Sequence, residues 1–145
     1  MTLIRLLYIS RATQPMNADA ITEILIAAHR NNHPRGVTGV LLYQNQFFVQ
    51  VLEGKPDDVQ YIFDKIKNDP RHSNVTVIQQ NPIKKRGFPT WSMGFKNLDE
   101  LSGEDAEKLR DFLEAPITEE DFTEQRPIHL TALVDRVMAL YAAEN

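Results

Sequence analysis

The chain has 145 residues, of which 42% are hydrophobic and 25% charged, a composition that excludes a disordered or low-complexity protein and fits one globular domain. It contains no cysteine, no apolar run of about 20 residues and no signal peptide, so we expect a soluble cytoplasmic domain without disulfides or membrane contact. The formal net charge of −4 divides into +5 over residues 1–96 and −9 over residues 97–145, which suggests an anionic ligand on the body and argues against nucleic-acid binding.

The chain begins with a short apolar run at residues 3–10, which predicts a buried strand. A helix follows, because Asn17 is a suitable N-cap and the next apolar residues are spaced by three or four. This helix is expected to end before Gly36. Residues 36–43 and 47–53 then predict two strands joined by a short hairpin connection.

A second helix is predicted from Pro56, which suits a first helical turn, to about Asp69. Strands are predicted next at residues 75–80 and at about 91–96. The order is therefore βαββαββ. It indicates an α+β fold with a ferredoxin-like sheet, in which both helices lie on one face and the first four strands have the order 4-1-3-2.

The first and third predicted strands are apolar on both faces, so both faces of the sheet must be covered. Helical patterns over residues 102–114 and 128–143 supply the second cover. We therefore expect a core at residues 1–97 and a C-terminal two-helix cap at residues 98–145, within one structural domain.

The common enzyme motifs are missing from the sequence: it has no P-loop, no Gly-x-Gly-x-x-Gly, no His-Glu-x-x-His and no Gly-x-Ser-x-Gly. The histidines have no partner at metal-ligand spacing, so no metal site is predicted. A surface or structural role is expected for all four, which are His29, His33, His72 and His129.

Gln50 is a polar residue inside the apolar strand 47–53. A buried amide without hydrogen-bond partners costs about 1–3 kcal/mol, so a polar group must meet it. In the strand order 4-1-3-2 the first and third strands are neighbours, which brings Tyr8 within reach. The pattern fits either an ordinary core hydrogen bond or a functional pair.

The two predicted helices offer further side chains on the same face of the sheet. Ile24 and Ile66 would form the walls of an apolar slot. Asn31 and Asn32 end the first helix and either cap it or present their amides to a planar heterocycle.

Two cationic residues and two bulky residues complete the candidate site. Lys65 and Arg71 lie at the end of the second helix, where they are either solvated or suited to a phosphate at the mouth of the slot. Trp91 and Met93, expected on the fifth strand, are either ordinary core residues or neighbours of Gln50.

These positions together resemble the BLUF domain, a family of blue-light sensors that use FAD. The resemblance covers residues 1–97, and the C-terminal part is similar to that of short members with two helices and no effector domain. The matching segments are residues 6–10, 30–32, 36–41, 48–54, 69–72 and 91–93.

The resemblance implies a flavin bound non-covalently between Ile24 and Ile66. Asn32 matches the residue that holds the ring edge, whereas the position of Asn31 varies within the family. Arg71 matches a basic residue on the phosphate side. Lys65 stands where some members have Arg, so FMN and riboflavin are alternatives to FAD.

The resemblance also implies photochemistry without turnover, so the chain is expected not to be an enzyme. Tyr8 matches the electron donor to the excited flavin, and Gln50 relays its proton and is left rotated or tautomerised. Trp91 and Met93 compete for the position beside Gln50. The signal is expected to leave through the fifth strand and the C-terminal helices, to a homo-oligomer or a separate signalling protein.

Two other classes of protein fit the sequence less well. A small ferredoxin-like hydrolase of the acylphosphatase kind needs an Arg and an Asn at a phosphate-binding loop, whereas the candidates here lie at helix ends. An RNA-binding sheet needs exposed aromatic residues on an open face, whereas this face is expected to be covered.

Overall fold

A computed structural model describes residues 2–89 and 91–98, together with residues 131, 132, 134, 135 and 137–139. The main elements are β1 (Leu3–Ala12), α1 (Ala18–Asn32), β2 (Thr38–Gln44), β3 (Phe47–Gly54), α2 (Pro56–Lys67), β4 (His72–Ile83) and β5 (Gly94–Asn97). The predicted α+β class and the order βαββαββ are confirmed. No helix in the described residues is long and apolar enough to cross a membrane.

The five strands form one sheet in the order β4-β1-β3-β2-β5. This confirms the predicted order 4-1-3-2 and adds β5 at the outer edge of β2, to which it runs parallel. The pairing of β1 with β3 is antiparallel and places Tyr8 directly opposite Gln50 and Arg5 directly opposite Glu53.

Local sequence features set the ends of several elements. The side chain of Asn17 accepts a hydrogen bond from the backbone N–H of Ala20 at 2.8 Å, and it caps α1 as predicted. Asn45 and Gln46 both have positive φ angles, 53° and 63°. They form the two-residue turn whose twist matches the twist of the hairpin strands.

Two predicted boundaries were wrong. β4 runs from His72 to Ile83, well beyond the predicted residues 75–80, because this edge strand is largely polar and lacks the apolar pattern that marks a strand. β5 begins only at Gly94, so Trp91 and Met93 precede the strand instead of lying on it. In that segment the Ser92 carbonyl accepts a hydrogen bond from the side chain of Asn32 at 2.9 Å.

Each face of the sheet has its own apolar cluster. On the first face, α1 and α2 pack over Leu6, Phe48 and Leu52, which confirms that both helices lie on one side. On the second face, Leu7, Ile9, Val49 and Val51 pack with Phe88 and with two helical residues of the C-terminal part, Val134 and Val137.

The described C-terminal residues therefore cover the second face, where a cap was predicted. Thr131 adds a polar contact, since its hydroxyl lies 3.3 Å from the side-chain oxygen of Gln79 on β4. The predicted helix at 102–114 lies outside the described residues. The two-helix form of the cap and its place in one domain with the core stay predictions.

The backbones of β2 and β3 approach closely at Gly39. A Cβ atom added there would lie 1.8 Å from the carbonyl oxygen of Val51. We expect Gly39→Ala to lower the free energy of unfolding by about 3 kcal/mol or more, because the two strands must move apart.

Gly54→Ala is the matched control, because a Cβ atom there would meet its nearest neighbours at 3.4–3.5 Å, an ordinary contact distance. Chemical denaturation of both variants measures the difference. A Gly39→Ala protein as stable as the Gly54→Ala protein would contradict the close approach.

Candidate functional site

A cleft opens between α1 and α2, with Leu41 of β2 and Gln50 of β3 at its base. Its volume is about 540 Å³, including space open to solvent. Seven predicted site residues line it, namely Ile24, Asn31, Asn32, Gln50, Lys65, Ile66 and Arg71. The lining also includes residues that were not predicted, namely Ala27, Ala28, Ile62, Asp69 and His72.

Tyr8 and Gln50 are in contact at the base of the cleft, as their positions on neighbouring strands predicted. The Tyr8 hydroxyl donates a hydrogen bond to Gln50 Oε1. Tyr8 is fully buried, and burial, followed by the negative charge of Asp69, raises its pKa well above the usual value. Tyr8 is therefore a protonated donor at neutral pH.

Met93 occupies the other side of the Gln50 amide. Its Sδ atom lies 3.1 Å from Gln50 Nε2, and its side chain belongs to the cluster on the cleft side. Trp91 packs instead against the opposite cluster, where its ring is stacked on Phe88 with centroids 6.1 Å apart and 16° between the planes. Of the two competing residues, Met93 is the one beside Gln50 in this structure.

The end of α1 is tied to the segment that contains Met93. Asn32 is only 1% exposed, and its Nδ2 atom donates to the Ser92 carbonyl. A second link joins His29 Nδ1 to the Ser92 hydroxyl. The hydrogen bond to Ser92 therefore fixes the position of the Asn32 side chain.

Arg71, one of the two cations at the mouth of the cleft, is held by a carboxylate that was not predicted. The Arg71 guanidinium donates to both oxygens of Asp69, with distances of 2.7 Å from Nη2 and 3.0 Å from Nε. Burial alone would raise the pKa of Asp69, but the hydrogen bonds from Arg71 outweigh it and lower the pKa. Lys65 lines the same cleft. The three charged groups carry a net charge of +1, which suits an anion.

His72 lines the cleft although it was expected to have only a surface or structural role. Its Nδ1 atom lies 2.8 Å from the Ser10 hydroxyl, and its ring centroid is 4.7 Å from that of Phe48. Burial lowers the pKa of His72 to about 4, with Asp69 opposing this shift and Arg71 adding to it. His72 is therefore neutral at pH 7. The predicted strand order placed β4 beside β1, but the sequence did not indicate that β4 begins at His72 or which register brings His72 close to Ser10.

A family model described as "Sensors of blue-light using FAD" (BLUF) matches residues 3–94. The chain belongs to the BLUF family. Among curated proteins, it is similar to photoactivated adenylate cyclase subunit beta of Euglena longa, with 42% identity over 93 residues. That match covers 63% of this chain and 11% of the cyclase subunit. The chain thus spans about a tenth of the length of the curated relatives it matches.

Solved BLUF structures have the same fold. The BLUF protein BlrB in its dark state matches with a TM-score of 0.70 and 28% identity, over 90% of this chain and 96% of that one. A bacterial light-regulated adenylyl cyclase matches with a TM-score of 0.71 and 33% identity, over 78% of this chain and 33% of that one. Klebsiella pneumoniae BlrP1 with FMN and cyclic diGMP matches with a TM-score of 0.65 and 27% identity, over 88% of this chain and 34% of that one. The acylphosphatase alternative finds no support.

The residues of the cleft fit the flavin that BLUF domains bind. Ile24 and Ile66 are aliphatic and come from opposite helices, as the two faces of a planar ring require. Gln50 and Asn32 are buried amides, which match the donors and acceptors of a flavin ring edge. Lys65 and Arg71 supply positive charge for phosphate.

The lowered pKa of His72 makes stability depend on pH. A histidine in the unfolded chain has a pKa near 6.5, so between pH 6.5 and 4 the unfolded chain binds a proton that the folded protein does not. The contribution of neutral His72 is present above pH 6.5 and is lost as the pH falls to 4. The loss is about 3 kcal/mol in the free energy of unfolding.

We expect His72→Asn to remove most of this pH dependence, because asparagine keeps a polar group near Ser10 but does not titrate. Urea unfolding at pH 7.5 and 4.5, at equal flavin content, measures it. The matched control is His33→Asn, which removes an exposed histidine and leaves the wild-type slope. The same slope in wild type and His72→Asn would contradict the prediction.

Proposed function

We propose that this BLUF domain senses blue light by binding FAD non-covalently in the cleft between α1 and α2, with Tyr8 and Gln50 as the photoactive pair. The observation that carries the proposal is the hydrogen bond from the Tyr8 hydroxyl to Gln50 Oε1 at the base of the cleft. Family membership supports the use of light and flavin, and the contacts of the cleft support the roles of the residues.

The binding roles follow from the position of each side chain. Ile24 and Ile66 sandwich the ring. Asn32 holds the ring edge, helped by Asn31, and Asn32 is already fixed by its bond to Ser92. Lys65 and Arg71 bind the phosphates, and Asp69 orients the Arg71 guanidinium. FMN and riboflavin are alternative ligands, which is supported for FMN by the BlrP1 structure that contains it.

Bound flavin supplies the absorption of blue light and, when excited, a strong oxidant. Tyr8 would give up one electron to the excited flavin, and its phenolic proton would move to Gln50 Oε1, the atom to which the hydroxyl already donates. On recombination the electron and the proton would return to Tyr8. Gln50 is left rotated or tautomerised, so a changed hydrogen bond stores the signal and nothing is consumed.

Met93 lowers the free-energy cost of this rearrangement of Gln50. A thioether sulfur is a weak acceptor, so Gln50 Nε2 loses little when it leaves Met93 Sδ for another partner. Met93 therefore belongs to the photoactive site. Trp91 acts at a distance, through the segment that it shares with Met93 and through its contact with Phe88.

We expect Tyr8→Phe and Gln50→Leu to keep bound flavin but to lose the red shift of its absorption under blue light. Tyr8→Phe removes the electron donor's hydroxyl, and Gln50→Leu removes the amide that relays the proton. The dark-minus-light absorption difference of each purified protein measures the effect.

Tyr43→Phe is the matched control, because Tyr43 is a buried tyrosine on the same face whose hydroxyl meets the backbone N–H of Met16 instead of Gln50. It should keep a red shift of normal size. A normal shift in either Tyr8→Phe or Gln50→Leu would overturn the assignment of that residue.

We propose further that the signal leaves by changed contacts of β5 and the C-terminal helices, to a homo-oligomer or a separate protein partner. The support is that Met93 precedes β5 directly and that Val134 and Val137 pack on the sheet. Size-exclusion chromatography in the dark and under blue light tests this output. We expect the elution volume to depend on light, for the protein alone or with its partner, and identical profiles would count against it.

A further inference from the structure

Glu53 has a buried carboxylate on the face of the sheet opposite the cleft. It lies three residues after Gln50 on β3, and successive side chains of a strand point to alternate faces. Gln50 and Glu53 therefore occupy opposite faces of one strand. Glu53 is 0% exposed, so its charge needs strong partners.

Those partners come from two elements. Arg5, directly opposite on β1, donates through Nε at 2.7 Å and places Nη2 2.6 Å from Glu53 Oε2. The backbone N–H groups of Gly87 and Phe88 donate to the two carboxylate oxygens at 3.0 and 2.9 Å. Charge-assisted hydrogen bonds of this kind are the strong ones, so Glu53 fixes residues 87–88 to the sheet.

Residues 87–88 lead to the segment that contains Met93. Phe88 is fully buried and stacks on Trp91. Trp91 in turn lies against Gly94, where an added Cβ atom would be 1.8 Å from its ring. The Glu53 carboxylate thus fixes the start of the segment that continues through Trp91 to Met93. The sulfur of Met93 in turn contacts Gln50.

The same residues also touch the C-terminal helical part. Arg5 Nη2 lies 3.8 Å from Met138 Sδ, and a Cβ atom added at Gly87 would lie only 2.2 Å from that sulfur. Val134 and Val137 share an apolar cluster with Phe88. Met138 therefore sits in a notch formed by Arg5 and Gly87, both of which Glu53 holds.

From these contacts we infer that Glu53 is a positioning residue, which couples the rearrangement of Gln50 and Met93 to the C-terminal helical residues around Met138. The inference rests on the proposed function and adds the route by which its signal crosses the sheet. When the Met93 segment moves, residues 87–88 are held at the carboxylate. The displacement is therefore passed to the packing of Trp91, Phe88 and Met138.

The lack of cysteine in the chain gives a direct test. Ala132 is an exposed helical residue of the C-terminal part, so Ala132→Cys provides one attachment point for a spin label or fluorophore. The flavin absorption reports the event at Gln50, and the label reports the response of the C-terminal helix. Both are recorded on the flavin-loaded protein in the dark and under blue light.

In the Ala132→Cys protein we expect both a flavin red shift and a change in label mobility on illumination. Adding Glu53→Gln removes the ion pair with Arg5. We expect it to leave the red shift at its normal size and to reduce the label response about fivefold or more, the lower end of usual coupling between sites. A merely structural role would not separate the two readouts.

Gly87→Ala is the second variant, because its added Cβ atom would lie 2.2 Å from Met138 Sδ and 2.8 Å from Arg5 Nη2. It therefore disturbs the notch around Met138 while the Glu53 side chain is kept, and it decides the matter if Glu53→Gln does not fold. The matched control is Gly54→Ala, which adds the same group next to Glu53 at ordinary contact distance and keeps both responses.

A full label response in Glu53→Gln or Gly87→Ala would overturn the inference. A wild-type red shift without any label response would also overturn it, while leaving the proposed flavin binding and photochemistry intact. A wild type without a red shift would overturn the proposed function, and the inference with it.

Discussion

The site depends on one register, the antiparallel pairing that sets Tyr8 opposite Gln50. A buried amide requires a hydrogen-bond partner, and the Tyr8 hydroxyl supplies it only in this register. A slip of one residue would turn Gln50 to the other face and leave both polar groups unpaired. The apolar residues on either side of Gln50, which must face their own clusters, exclude that slip.

Because β3 is buried on both faces, one strand carries two kinds of polar group. The neutral amide of Gln50 faces the cleft, and the carboxylate of Glu53 faces the C-terminal residues. The amide has one strong partner and one weak one, Met93, and so is free to exchange the weak contact. The carboxylate accepts strong hydrogen bonds on both of its oxygens and stays fixed. The strand thus joins a group suited to switching with a group suited to anchoring.

Much of this arrangement follows from sequence patterns, since Gln50 interrupts an apolar strand and the βαββαββ order puts β1 beside β3. Other parts depend on strand limits, strand register and turns that no local pattern reveals. His72 meets Ser10 through the pairing of β1 with a polar edge strand, and Asp69 holds Arg71 through a turn. The strand assignment of Trp91 failed because side chains, including that of Asn32, hold the backbone of this segment. In the sequence, Glu53 is a charged residue at the end of an apolar strand and lies in the matching segment 48–54, but neither feature indicates its partners.

The energy available to such a signal is small. A light-induced state shifts an equilibrium only by the difference in free energy that it creates, and one rearranged buried hydrogen bond provides about 1–3 kcal/mol. That is enough to change a population by about one to two powers of ten, but it is well below the roughly 5–15 kcal/mol that holds a domain folded. The responding contact must therefore be nearly balanced in the dark. The contact of half-buried Met138 with Arg5 and Gly87 is less extensive than the packing of the buried sheet strands, and is therefore better suited to this condition.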